Sequence, residues 1–141
     1  MNSQVLLATL AGGVAAFLGG FVIYGLLLDP YFQGQMTEAG AQVVRKPEEM
    51  LLWAMAISNL VYSFLLALIF SRWANISTFK TGAIAGAVIS ALYSISMNFM
   101  WYGYADMMKG LGSIPVDAIA QAVLGALIGG VIGWVLGYKR E

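Results

Sequence analysis

Apolar residues run through this chain in four long blocks, separated by short stretches where polar residues, proline and charge collect. The blocks are Val5–Leu28, Met50–Phe70, Thr81–Tyr104 and Val116–Gly137. Each reaches the roughly 20 residues that an α-helix needs to cross about 30 Å of hydrocarbon. None holds Lys, Arg or Glu, and Asp117, at the edge of the fourth block, is the single acid inside these limits. The apolar runs are continuous and do not alternate with period two, which argues against a membrane barrel. Backbone groups in lipid must bond to one another, so helices are the expectation. The pattern predicts one all-α transmembrane domain over 1–141, a polytopic four-transmembrane-helix bundle.

The breaks between the blocks carry their own grammar. Asp29-Pro30 ends the first helix, because proline disfavours helical geometry in the residue before it. Pro47, followed by Glu48 and Glu49, suits the first turn of the second helix, where acids meet the positive end of the helix dipole. Ser113 to Pro115 with Asp117 repeats that arrangement before the fourth. The 29–46 connection contains Gly34 and Gly40 and is the one long enough to fold over a surface. No basic residue precedes the first block, which is longer than a signal-peptide apolar region, so it is expected to be retained. Trp and Tyr mark two interfaces: Tyr31, Trp53, Trp101 and Tyr104 on one side, Trp73, Trp134 and Tyr138 on the other.

Charge sets the expected orientation. One side holds Arg72, Lys80, Lys139 and Arg140; the other holds Arg45, Lys46 and Lys109. The positive-inside rule then places both termini in the cytoplasm of a multi-pass protein of the cell membrane, a bacterial inner membrane. Six of the seven acids fall on the outer side: Asp29, Glu38, Glu48, Glu49, Asp106 and Asp117.

Composition removes several chemistries. Of 141 residues, 60% are apolar and 10% charged, against roughly 25% charged in a soluble domain. The net charge of zero recruits no nucleic acid. Cys and His are both absent, so disulfides, thiolate nucleophiles, imidazole acid–base chemistry and the usual zinc, haem and iron–sulfur ligand sets have no residues to use. No enzyme activity, cofactor or metal is expected. Met97 and Met100 put two thioethers, which favour Cu(I), on one helical face. Without Cys or His they read instead as flexible packing.

Small residues recur every four positions. The first span carries Ala8, Gly12, Ala16 and Gly20; the third carries Gly82, Gly86, Ser90, Ser94 and Asn98; the fourth carries Gly125, Gly129, Gly133 and Gly137. Such spacing keeps small side chains on one stripe, and in lipid, helix association depends on close backbone approach and cross-helix hydrogen bonds. The stripes close the bundle, or one of them, best Gly125 to Gly137, mates with a second subunit or a membrane partner.

Polar groups inside the bilayer each invite an account. The strongest are Asn59, Asn98 and Gln121, with Tyr24, Tyr62, Tyr93 and Tyr102. Asn98 and Gln121 fall in the outer half with Tyr24 and Tyr102 shallow on the same side, and Asn59 falls nearer the middle. The three amides either bond one another as interhelical glue, or with Tyr24 and Tyr102 line a shallow outward-facing site for a polar or cationic ligand with Asp29, Asp106 and Asp117 at its mouth. Phe21-Val22-Ile23-Tyr24-Gly25 and Phe99-Met100-Trp101-Tyr102-Gly103 end the first and third spans alike. This is compatible with two repeated helical hairpins.

With its four spans, Tyr24-Gly25 ending the first and Arg72-Trp73-Ala74-Asn75-Ile76 after the second, the chain resembles small bacterial four-helix membrane proteins, in particular domain-of-unknown-function family 1761. That resemblance implies a membrane bundle over nearly the whole chain; the family has no established activity or catalytic residues to carry over. The leading expectation is a non-enzymatic integral membrane protein assembling with itself or a partner through Gly12, Gly20, Gly82, Gly86, Gly125, Gly129, Gly133 and Gly137. The alternative is a small transporter or channel-like protein binding a polar or cationic solute.

Overall fold

The computed structural model describes residues 2–138. Four helices are long and apolar enough to cross a membrane: α1 (Ser3–Leu27), α4 (Leu52–Trp73), α5 (Phe79–Tyr104) and α6 (Ser113–Gly137). Two short helices, α2 (Asp29–Gln35) and α3 (Glu38–Val43), lie in the connection between α1 and α4. The chain is an all-α, multi-pass membrane protein. One end of the bundle carries α2, α3 and the 105–112 connection and is called the loop end; the other carries the start of α1, the end of α6 and the 74–78 turn.

Consecutive helices form two hairpins. α1 packs on α4 and α5 on α6, and the hairpins join where α1 meets α6. α6 is the central helix: 50% of its apolar window is buried, against 17% in α4 and in α5. The core is a seam of Ala8, Ala16, Leu66, Phe70, Ile128 and Ile132. Large apolar side chains such as Leu10, Val14, Val61, Leu92 and Val123 point outward. In water that would be a liability; here it is the surface that lipid covers.

The glycine stripes are used inside the chain. A Cβ on Gly82 would collide with the Gly129 carbonyl oxygen, and one on Gly129 with that of Gly82. Gly86 and Gly125 stand in the same reciprocal relation, while Gly133 and Gly137 rest on the Thr78 and Ser77 carbonyls. Backbone is thus packed on backbone along α5 and α6, an approach that allows weak Cα–H···O contacts of about 0.5–1 kcal/mol each. Gly12 sits against Ile132 and Ser63, and Gly20 only grazes Leu124. The expected Gly125–Gly137 mating stripe is thus covered within the chain, by α5 and by the Ser77–Thr78 turn before it.

Both α1 and α4 finish in π-helical turns, Phe21–Leu27 and Ile69–Trp73. Five-residue bonds mark them: Leu28 N–H donates to Ile23 O and Ala74 N–H to Ile69 O. A four-residue step around an α-helix drifts off its face; a π turn takes more residues per revolution and undoes that drift. Ala8, Gly12 and Ala16 are buried, and the π turn keeps Tyr24 packed against the same core. In α5 the matching segment Phe99–Gly103 is regular α-helix and Tyr102 is exposed. The two similar endings are therefore not equivalent in space.

Two helix starts differ from expectation. Pro47–Glu49 forms a separate 3-10 turn, and α4 begins later, at Leu52. Glu48 and Glu49 consequently lie outside its first turn. Asp117 falls inside α6, which begins at Ser113. At the loop end the two connections are clasped: Met36 and Met108 form an antiparallel bridge, with Thr37 N–H donating to Met107 O and Lys109 N–H to Gln35 O. Gly40 rests on the Met107 carbonyl, where a side chain would not fit.

Candidate functional site

The register of α5 on α6 decides what meets at the loop end. Gly82 faces Gly129 and Gly86 faces Gly125. Moving four residues along α5 and four back along α6 at each step, the pairing passes Ser90 and Gln121 and arrives at Ser94 and Asp117. There the small-residue stripe becomes a hydrogen-bonding one. Ser94 Oγ donates to Asp117 Oδ2 at 2.5 Å, and Asn98 Nδ2 donates to the same oxygen at 2.5 Å. Asn98 also donates to Ser94 O at 2.8 Å, so its amide is held by its own helix. From α1, Tyr24 Oη donates to Asp117 Oδ1 at 2.6 Å. The two hydroxyl bonds, from Ser94 and Tyr24, have the lengths of charge-assisted O–H···O bonds. Three helices thus converge on one carboxylate, about 6 Å along α6 from its first residue.

Asp117 also lines a cleft. The cleft has a volume of about 920 Å³ and runs between α4 and α5 with α6 as its floor. Its loop-end wall carries Asn59, Asn98, Trp101, Asp117 and Gln121; further in come Tyr62 and Tyr93, then Leu68, Ile89 and Ile128. α4 and α5 make almost no direct backbone approach. What bridges them is a hydrogen bond between the Tyr62 and Ser90 hydroxyls, with the Tyr62 and Tyr93 rings 6.3 Å apart. An ionised carboxylate has room for roughly four hydrogen bonds and can donate none. Three donors leave Asp117 one acceptor direction, beside open space.

Five of the eight expected ligand residues are brought together: Tyr24, Asn98 and Asp117 by direct hydrogen bonds, and Asn59 and Gln121 on the cleft wall. Asn59 donates to Met55 O one turn back. The other three, Asp29, Asp106 and Tyr102, do not line the cleft. Asp29 accepts from Gln33 within α2. Asp106 is exposed in the clasp, where its backbone carbonyl accepts from Thr37 Oγ1. Tyr102 is 44% exposed and does not line the cleft. Asp117 itself is not a helix-end acid in solvent but the centre of the polar cluster. Met97 lines the cleft while Met100 is 55% exposed, so the two thioethers do not converge on it.

Ser94, Tyr62, Tyr93 and Trp101 complete the site without having been assigned to it. The four-residue spacing of Ser90, Ser94 and Asn98 was the available signal, since it continues the glycine stripe into polar residues on the face turned to α6. Compared with known proteins, the chain matches no protein-family model, no curated protein and no solved structure.

Proposed function

We propose that this chain is a small, non-enzymatic membrane protein that binds a polar or cationic solute in the α4–α5–α6 cleft, as a carrier or channel-like protein would. One observation carries the reading. Asp117 is the only acid in the four spanning helices, and it lies at the head of a cleft of about 920 Å³. The only basic residues in those helices, Arg72 and Lys80, lie at the far end of the bundle. The hydrogen-bond partners of Asp117 among the described residues are the neutral groups of Tyr24, Ser94 and Asn98, and a cationic ligand in the cleft would supply the opposite charge they lack.

Assembly through an exposed glycine face is the weaker reading, because the faces it requires are occupied within the chain. Binding is tested on protein in lipid nanodiscs, by calorimetry with ammonium cations from tetramethylammonium upward in size. Saturable binding that Asp117→Asn removes supports the reading; equal binding by both proteins contradicts it.

The loop end is proposed to face outward from a bacterial inner membrane, with both termini cytoplasmic, on the four-to-three division of Lys and Arg. The chain lacks cysteine, so single substitutions report cleanly. In intact cells an impermeant maleimide should label Ala39→Cys and spare Ala74→Cys, both positions being exposed. The opposite pattern inverts the topology.

A further inference from the structure

Resting on the binding site proposed above, we infer that its ligand is an amphipathic organic cation, an ammonium group carrying an aromatic or long apolar body, rather than a small hydrated ion. The cleft has two unlike ends. Its head holds Asp117, and Trp101 also lines its wall; its middle is flanked by the Tyr62 and Tyr93 rings. Beyond them it becomes aliphatic as far as Ile128. Asp117 and Ile128 are eleven residues apart on one helix, about 16 Å. A hydrated inorganic ion at the carboxylate would leave most of that apolar length unfilled. An alkylammonium cation instead meets aromatic faces, whose quadrupole attracts it, and a carboxylate that neutralises it.

The route of entry agrees with this class. α5 rests on α6 and hardly on α4, so the side of the cleft between α4 and α5 turns toward lipid, spanned by the Tyr62–Ser90 hydrogen bond. A ligand with an apolar body concentrates in lipid and can arrive laterally.

An ammonium headgroup on a zwitterionic lipid would share this chemistry. It brings a phosphate beside its amine, however, and the loop end carries six acids against three bases. That phosphate would meet like charge, so the free cation is the occupant assigned here.

The test compares tetramethylammonium with phenylbutyl-trimethylammonium, which share a headgroup, by equilibrium binding to nanodisc-embedded protein with empty nanodiscs subtracted. The longer cation is expected to bind at least about tenfold more tightly, as burial of several methylene and ring carbons requires. Tyr93→Leu with Trp101→Leu should weaken the longer cation by about threefold to tenfold. The two residues are 57% and 45% exposed, which spares the buried core; the thermal midpoint checks this. If the two cations bind equally and both depend on Asp117, the ligand class is wrong while the binding site stands. If neither binds in an Asp117-dependent way, both fall. Replacing phosphatidylcholine by phosphatidylethanolamine should leave the affinity unchanged; a several-fold loss would make the lipid headgroup the occupant and overturn the assignment.

Discussion

Gly86→Val should cost this protein its fold. A Cβ at that position collides with the Gly125 carbonyl oxygen and crowds the Gly129 Cα, and neither atom belongs to a side chain that could turn away. Overfilling a packed interior by a few methyl groups usually costs about 1–3 kcal/mol because neighbouring rotamers give. Here two helix backbones would have to separate, so the expected loss is at the upper end of that range or beyond. Separation would also withdraw Ser94 and Asn98 from Asp117, since the same helix carries all three positions in register. Gly103→Ala is the matched control. It lies in the last turn of the same helix with nothing within 4 Å of the added carbon, so alanine there meets no clash. Thermal unfolding in detergent should show the Gly86 variant melting far below the parent, or aggregating, with the Gly103 variant unchanged. A Gly86 variant melting with the parent would refute the α5–α6 contact.

Asp117→Asn should separate binding from stability. The amide oxygen can still accept from Ser94 and Asn98, and the Tyr24 hydroxyl can reverse to accept from the new N–H. Interhelical hydrogen bonds in membranes average about 0.6 kcal/mol, with a maximum near 1.7, so the midpoint should fall only modestly. The charge, by contrast, is lost entirely. Two unit charges about 4 Å apart interact by about 4 kcal/mol at the dielectric of a protein surface, and desolvation cancels part of that. We expect ammonium binding to weaken at least tenfold, equivalent to about 1.4 kcal/mol. A large drop in stability with unaltered affinity would mean that Asp117 only ties helices together.

The spans could be read from the sequence because the bilayer imposes their length: Thr81–Tyr104 and Val116–Gly137 were expected, Phe79–Tyr104 and Ser113–Gly137 are found. The stripes identified contact faces correctly but not their partners, since four-residue spacing says which side of a helix is smooth and not what lies on it. Asp117 shows what that ignorance conceals. Beside Pro115 it has the look of a helix-start acid, and only the pairing of Gly82 with Gly129 and Gly86 with Gly125 carries it to Ser94. Tyr24 and Tyr102 sit in similar pentapeptides, yet a π turn in one and an α turn in the other send them to different surroundings. Composition does not encode that choice. The clasp at the loop end was equally hidden, because Met36 and Met108 bridge through backbone atoms alone.

The central claim is that the Asp117 carboxylate is open to a ligand in the cleft. Dicyclohexylcarbodiimide, an apolar reagent for carboxyl groups, tests it on the reconstituted protein, with mass spectrometry of the α6 peptide as readout. Asp117 should be modified, and phenylbutyl-trimethylammonium should slow that modification in a saturable way. Modification at a rate that the cation leaves unchanged would contradict the account.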